Sequence, residues 1–146
     1  MTSEKVFIKA TDIESCDVIS SLVQDSIFHV STLSFHESKK CLRLLLNRFC
    51  WELVKDDSEN EQKRNHYFRV HSGLYIHNIQ NITINDNFKN VKKEKYVNLL
   101  AMHTSKNEIN LLFSGHKTSC ITVKNIGVHL KDLHHRYPTP SLPEHR

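Results

Sequence analysis

The stretch Cys41-Leu42-Arg43-Leu44-Leu45-Leu46-Asn47-Arg48-Phe49-Cys50-Trp51-Glu52-Leu53 decides the fold class of this chain. Leu42, Leu44 and Leu46 recur with a period of two, which is typical of a β-strand with one buried face. Phe49, Trp51 and Leu53 resume the alternation in the opposite phase. The switch at Asn47-Arg48 predicts a bulge, because successive side chains of a strand point to opposite faces. We therefore expect a long, bent strand here.

The residues before this strand predict a helix and a second bent strand. Thr11 followed three residues later by Glu14 is a capping-box pattern, and apolar residues then recur at helical spacing. This pattern predicts a helix from about Asp12 to Gln24. A period of two with a phase slip from Ser26 to Phe35 predicts a bulged strand, and the polar segment His36–Lys40 predicts a hairpin turn.

The residues after it predict further strands and a closing helix. Alternating apolar residues lie between Phe68 and Ile84, with a phase change at Gly73, and polar loops are expected at 55–65 and 85–95. Three shorter strands are expected at Tyr96–Met102, Glu108–Phe113 and Ser119–Val123. Asn125 is a good N-cap for a final helix, whose apolar stripe would be Ile126, Leu130, Leu133 and Tyr137.

The predicted elements amount to an α+β fold with one N-terminal and one C-terminal helix. A meander of bent strands closed by an amphipathic helix indicates a strongly bent antiparallel sheet or partly open barrel, for which a pleckstrin-homology-like arrangement is expected. We expect a single domain over residues 1–137 and an extended tail over 138–146, which contains Pro138, Pro140 and Pro143.

Composition excludes several classes of protein. The sequence contains no run of about 18 apolar residues, so it predicts no membrane-spanning helix. Residues 1–5 do not resemble a signal peptide. We therefore expect a soluble, cytoplasmic protein. The four cysteines, Cys16, Cys41, Cys50 and Cys120, form no C-x-x-C pair, so we expect reduced, packed thiols and no structural zinc.

Motifs for catalysis are also missing from the sequence. There is no G-x-S-x-G elbow, three glycines are too few for a phosphate-cradling loop, and the 11 histidines show no H-E-x-x-H spacing. We expect no cofactor and no metal, and we assign no catalytic residue. An enzyme whose site is assembled from separated residues such as His29, His36, Glu37 and Arg48 remains an open alternative.

The densest cluster of chemically distinctive residues is Asn47-Arg48-Phe49-Cys50-Trp51-Glu52. Arg48 and Glu52, four apart on a strand, would point to the same face, opposite to Phe49 and Trp51. Two interpretations stay open: a core strand whose arginine is neutralised locally, or a recognition patch beside a tryptophan-anchored pocket. For the second, the binding residues would be Asn47, Arg48, Trp51 and Glu52.

The same stretch resembles a known family. Several short motifs are similar to those of a small, mainly alphaproteobacterial family. They are Leu45-Leu46-Asn47-Arg48-Phe49 with Trp51-Glu52, Gln24-Asp25, Phe113-Ser114-Gly115, Leu130–Leu133 and Pro143-Glu144-His145. That family is the domain of unknown function 2948. This chain has a single glycine after Phe113 and carries Lys124 and Asn125 where relatives are acidic. The resemblance implies no activity and no catalytic residue.

These observations favour a non-enzymatic binding or adaptor module with a protein partner. The alternative is a nucleic-acid-associated protein, because residues 74–146 carry 10 Lys and Arg against 5 Asp and Glu. Within them, the lysine-rich segment Phe88–Tyr96 has an aromatic residue at each end, as in single-strand binders. Aromatic residues at loop edges more commonly anchor the loop to a core, so nucleic acid is the less favoured partner.

Overall fold

The computed structural model describes residues 5–54, 67–84, 96–115, 117–140 and 142–143. The loops predicted at 55–65 and 85–95 lie outside these residues. The described residues contain one α-helix, α1 (Ile13–Val23), and eleven strands. The strands are β1 (Phe7–Ala10), β2 (Ser26–His29), β3 (Ser34–His36), β4 (Cys41–Phe49), β5 (Tyr67–Ile76), β6 (Ile79–Ile84), β7 (Tyr96–Thr104), β8 (Glu108–Phe113), β9 (Lys117–Val123), β10 (Val128–Asp132) and β11 (Tyr137–Thr139).

The strands form one antiparallel sheet in the order β1-β10-β5-β4-β2-β7-β8-β9-β6. In addition, β3 pairs with β4, and β11 pairs with β5. The described strands form an open sheet that does not close into a barrel, so the expected mainly antiparallel α+β architecture is confirmed at this coarser level.

The core lies between α1 and the inner face of the sheet. Leu44, Leu74 and Leu130 are cross-strand neighbours in one row and are fully buried. Cys16, Ile19 and Val23 recur at helical spacing on α1 and belong to the same apolar cluster. The period of two on the strands and the helical period on α1 thus place both apolar faces against each other.

The N-terminal helix is confirmed, but its cap differs from the prediction. Asp12, one residue after Thr11, has the extended backbone of an N-cap, and its carboxylate accepts a hydrogen bond of 2.7 Å from the Ser15 N–H. Hydrogen bonding to Ser15, first from its side chain and then from its backbone N–H, lowers the pKa of Asp12. The aspartate therefore takes the role that the Thr11–Glu14 pattern assigned to the threonine.

The bends of the early strands are short 3-10 turns and not bulges. Residues Val30–Thr32 form such a turn between β2 and β3, and Trp51–Leu53 form another just after β4. The predicted bulge at Asn47-Arg48 is wrong, since the register with β5 is regular through Arg48. Arg48 continues the buried phase of the leucines, and a buried arginine cannot be recognised from hydrophobic periodicity.

The predicted C-terminal helix is also wrong. Residues Val128–Asp132 form β10, which pairs with β1 on one side and β5 on the other, and Tyr137–Thr139 form β11. The helix that would complete a pleckstrin-homology-like arrangement is therefore replaced by strands. Val128, Leu130 and Asp132 are buried while His129 and Lys131 point outward, so the segment also had a period of two. Two neighbouring strands supply its backbone partners, and this tertiary pairing outweighs the helical apolar spacing.

Candidate functional site

Arg48 lies at the centre of a buried ion cluster on the inner face of the sheet. Its side chain is 0% exposed, and four of its five N–H groups donate hydrogen bonds of 2.8–3.0 Å. Two go to the carboxylate of Glu52 and two to that of Asp132. Burial by itself lowers the pKa of Arg48, but these hydrogen bonds and charges outweigh it and raise the pKa above its usual value.

Asp132 is the residue of this cluster that the sequence did not reveal. It lies on β10, 84 positions from Arg48, and is 5% exposed. Its carboxylate also accepts hydrogen bonds from the Ser72 hydroxyl (2.6 Å) and the Val6 backbone N–H (2.9 Å). The cluster therefore joins β4, β5, β10 and the residue just before β1. The sequence offered one signal for it: Asp132 follows Val128 and Leu130 with a period of two, which places an acid on the face of the apolar residues.

The other residues of the predicted patch are held by separate contacts. Trp51 packs on Phe49, with ring centroids 4.6 Å apart, and its indole N–H donates to the Gln24 carbonyl (2.7 Å). The Asn47 amide, on the opposite side of β4 from Arg48, donates to the Tyr137 hydroxyl (2.7 Å). The structure thus brings Arg48 and Glu52 together, whereas Asn47 and Trp51 have other partners.

The residues of the alternative enzyme site do not converge with Arg48. Cys41, the register partner of His36, lies seven residues from Arg48 on β4, which at about 3.3 Å per residue is roughly 23 Å. His29 instead contacts the Ser31 hydroxyl and packs edge-on against Tyr96. Within the described ranges, no group of three or more His, Cys, Asp or Glu side chains could hold a metal ion.

The outer face of the same strands carries a row of cationic and aromatic side chains. Lys9 pairs in register with His129, His129 with Tyr75, and Tyr75 with Arg43, so one row crosses β1, β10, β5 and β4. Two further residues belong to this surface, His77 just after β5 and Lys131 on β10. We call Lys9, Arg43, Tyr75, His77, His129 and Lys131 the basic face.

Acidic side chains do not balance the basic face. In β1, β3, β4, β5, β10 and β11 the single acidic residue is Asp132, which is buried in the ion cluster on the other side. Among the described residues, Lys9, Arg43 and Lys131 form no salt bridge. Arg43 also has a buried Nε–H with no hydrogen-bond partner in the described part of the chain. The sheet therefore concentrates uncompensated positive charge here.

Histidine pKa values reflect this environment. Burial lowers the pKa of His77, and Lys9 lowers it further. For His129, burial is again the main cause, followed by the positive neighbours His77, Lys9 and Lys131. The two imidazoles are joined by a hydrogen bond of 2.9 Å between His77 Nε2 and His129 Nδ1. A bound anion would oppose all of these shifts.

Ring stacking fixes the middle of the basic face. Tyr75 and His129 stack with centroids 4.2 Å apart and planes 12° apart. A Cβ atom at Gly73 would lie 2.6 Å from the Tyr75 ring, so the missing side chain leaves the space that the ring occupies. The phase change predicted at Gly73 is wrong, because Val70, Leu74 and Ile76 keep one buried phase and the register of β5 is regular through Gly73.

An apolar cavity of about 290 Å³ lies on the inner side of the sheet. Its lining consists of Leu33, Phe35, Leu42, Ile82, Ile84, Leu111, Phe113 and Ser119. Because Ser119 is the one polar residue of this lining, the cavity has little chemistry with which to select a ligand. The basic face is therefore the better candidate for recognition.

A family model described as a protein of unknown function, DUF2948, matches residues 7–145. The chain belongs to the DUF2948 family. The match includes both the Arg48 ion cluster and the basic face. No curated protein and no solved structure matches the chain. Among the described residues of this DUF2948 protein, no helix has the length and apolar character needed to cross a membrane.

Proposed function

We propose that this DUF2948 protein is a non-enzymatic binding module that recognises an anionic ligand through the basic face. The observation that carries the proposal is the row Lys9, His129, Tyr75 and Arg43, which crosses four neighbouring strands without an outward carboxylate. Cationic surfaces of this kind attract anions over several ångströms and increase their rate of association.

Electrostatics supports an anion over a neutral or cationic ligand. Lys9 and Lys131 are exposed and lower the pKa of His129, so the site has a positive potential before any ligand arrives. The Arg43 Nε–H lacks an acceptor among the described residues, and an oxyanion would supply one. Charge-assisted hydrogen bonds of this type are stronger than those between neutral groups.

The arrangement favours binding over catalysis. The side chains of the basic face are cations, imidazoles and a phenol, and no carboxylate stands beside them to orient or activate a base. Arg48 and Glu52, which the sequence suggested as recognition residues, neutralise each other and support the same strands from the inner side. Their proposed part is to hold β4 and β10 in register beneath the basic face.

The basic face also alters the nucleic-acid alternative. That alternative relied on the second half of the chain and on Phe88–Tyr96, of which 88–95 lie outside the described residues. The basic face draws instead on both halves, since Lys9 and Arg43 are early and His129 and Lys131 are late. We therefore propose that the basic face binds an anionic group, and that the partner is a protein that bears such a group.

Retention on immobilised heparin, a sulfated polyanion, tests this proposal. The variant Lys9→Glu/Lys131→Glu alters the basic face, and Lys106→Glu/Lys124→Glu alters exposed lysines elsewhere with the same change in net charge. We expect the first variant to elute at clearly lower salt than the second. Equal elution of the two variants, with both folded by circular dichroism, would show that retention follows net charge and would refute the proposal.

A further inference from the structure

A hollow of about 230 Å³ lies at the β4 end of the basic face. It is lined by His36, Lys39, Cys41, Arg43, Tyr75 and His77. These residues come from β3, the 3-10 turn Glu37–Lys39, β4 and β5 with the residue that follows it. Four chain segments therefore surround one small volume, which is the concave form that small-ligand sites take.

The lining is suited to a doubly charged oxyanion. Lys39 and Arg43 are permanent cations, His36 and His77 can each donate from a ring nitrogen, and the lining contains no carboxylate. The buried Nε–H of Arg43 has no acceptor within the described residues, and buried donors without partners are uncommon in folded proteins. An oxygen atom of a ligand in the hollow would satisfy that donor.

We propose that this hollow binds the phosphate group of a phosphate monoester. The inference rests on the proposed function and assigns the chemical class of its ligand. A phosphate monoester offers three terminal oxygens and close to two negative charges, which matches donors that approach from several segments better than the two oxygens of a carboxylate. The remaining volume and the Tyr75 ring accommodate part of the esterified group.

The frame of the hollow is formed before a ligand binds. Arg43 and Tyr75 are register partners on β4 and β5, and His36 pairs in register with Cys41. Tyr75 is further fixed by its stacking on His129 and by the space above Gly73. Because sheet hydrogen bonds set these positions, little ordering is needed when an anion enters.

Titration with inorganic phosphate, followed by amide chemical shifts of the full chain, tests the inference. At constant ionic strength we expect shifts concentrated in residues 36–43 and 75–77. Arg43→Gln should weaken phosphate binding roughly tenfold or more, and Lys39→Gln, on the exposed turn, should weaken it without touching the core. Lys106→Gln removes the same charge from an exposed position outside the basic face and should change affinity much less.

Further titrations with two phosphate monoesters distinguish a nucleotide from a phosphorylated side chain as the source of the phosphate group. Adenosine monophosphate and O-phosphoserine should both shift the residues of the hollow, whereas adenosine and serine should not. The ester that adds shifts beyond the hollow identifies the better organic group. Shifts scattered over surface lysines, or equal weakening by Arg43→Gln and Lys106→Gln, would overturn the phosphate site.

The two proposals fail in different ways. If heparin retention depends on Lys9 and Lys131 but phosphate causes no shifts in the hollow, the anion-binding function stands and the phosphate assignment is wrong. If both heparin variants elute together and phosphate also causes no local shifts, both proposals are wrong. Localised phosphate shifts without face-dependent heparin retention would support the hollow alone.

Discussion

Arg48 shows how one residue changes meaning between sequence and structure. In the sequence it is a charge beside the single tryptophan, which suggests either recognition or local neutralisation. In the structure it is fully buried, and its charge is paired with both Glu52 and Asp132. Its hydrogen bonds keep the guanidinium charged despite burial, as the raised pKa indicates. Arg48 therefore serves first to stabilise the packing of β4 against β10.

Replacing Arg48 with methionine should destabilise the fold strongly. The substitution leaves the buried carboxylate of Asp132 without its counter-charge, and removing one partner of a buried ion pair costs about 3–5 kcal/mol. Urea unfolding monitored by Trp51 fluorescence measures this loss. Lys131→Met, on the exposed side of the same strand as Asp132, is the matched control. A loss below about 1 kcal/mol for Arg48→Met would contradict the structural role.

At the scale of elements, the helix cap separates two predictions that differ by one residue. The capping-box pattern selects Thr11, whereas the hydrogen bond to the Ser15 N–H selects Asp12. The two residues are both exposed, so neither contributes to the core. Substitution at each position therefore reports on capping alone.

Asp12→Ala should lower the melting temperature measurably, because it removes the side chain that caps the N-terminus of α1. Thr11→Ala should have little effect, because its side chain makes no capping bond to α1. Thermal unfolding followed by circular dichroism compares the two variants under identical conditions. A larger effect of Thr11→Ala would restore the capping box and contradict the observed cap.

The closing segment shows why spacing alone misled at this scale. Ile126, Leu130, Leu133 and Tyr137 fit a helix, yet Val128, Leu130 and Asp132 in the same segment alternate as a strand. A short apolar pattern is compatible with both periods. Pairing with β1 and β5 decides between them, because it satisfies the backbone of β10 on both edges.

At the scale of the whole molecule, the sheet separates its charges by face. The inner side holds the ion cluster and the apolar core, while the outer side holds the basic face. His77 and His129 lie in that face, surrounded by Lys9 from β1, Lys131 from β10, Arg43 from β4, Tyr75 from β5 and, across the hollow, Lys39 and His36. Their protonation therefore adds positive charge to a positive surface.

Acidification should destabilise the protein through this histidine pair. Both pKa values are lowered in the folded state, so the unfolded chain binds more protons as the pH falls below the usual histidine value. The stabilisation is present above about pH 6.5 and is lost as the pH falls through the lowered values. The midpoint of urea unfolding should thus decrease between about pH 8 and about pH 5.5.

The variant His77→Gln/His129→Gln should show a smaller decrease over the same range, because it removes the two groups that resist protonation. His103→Gln, an exposed position on β7, is the control and should follow the unmodified protein. If the double variant and the unmodified protein show the same pH dependence, the loss of stability on acidification is caused by groups other than His77 and His129.

Apolar periodicity and turn residues, which are local patterns in the sequence, were enough to predict α1 and several strands. The helix over Ile13–Val23, the hairpin before β4 and the strands β7 to β9 follow from apolar periods and turn residues, as predicted. The break between β5 and β6 lies at His77-Asn78 and not at the predicted Gly73. The family resemblance was likewise contained in local motifs such as Asn47–Glu52, and the family match confirms it. The proposed binding role of that patch remains a prediction.

Only the tertiary structure decided which residues meet. Asp132 joins Arg48 across 84 positions, and the basic face unites β1, β10, β5 and β4 from both ends of the chain. The terminal segment became a strand for the same reason. Hydrogen bonds between strands far apart in sequence set the register, and register decides which side chains share a face. Periodicity within a single strand contains no information about that partner.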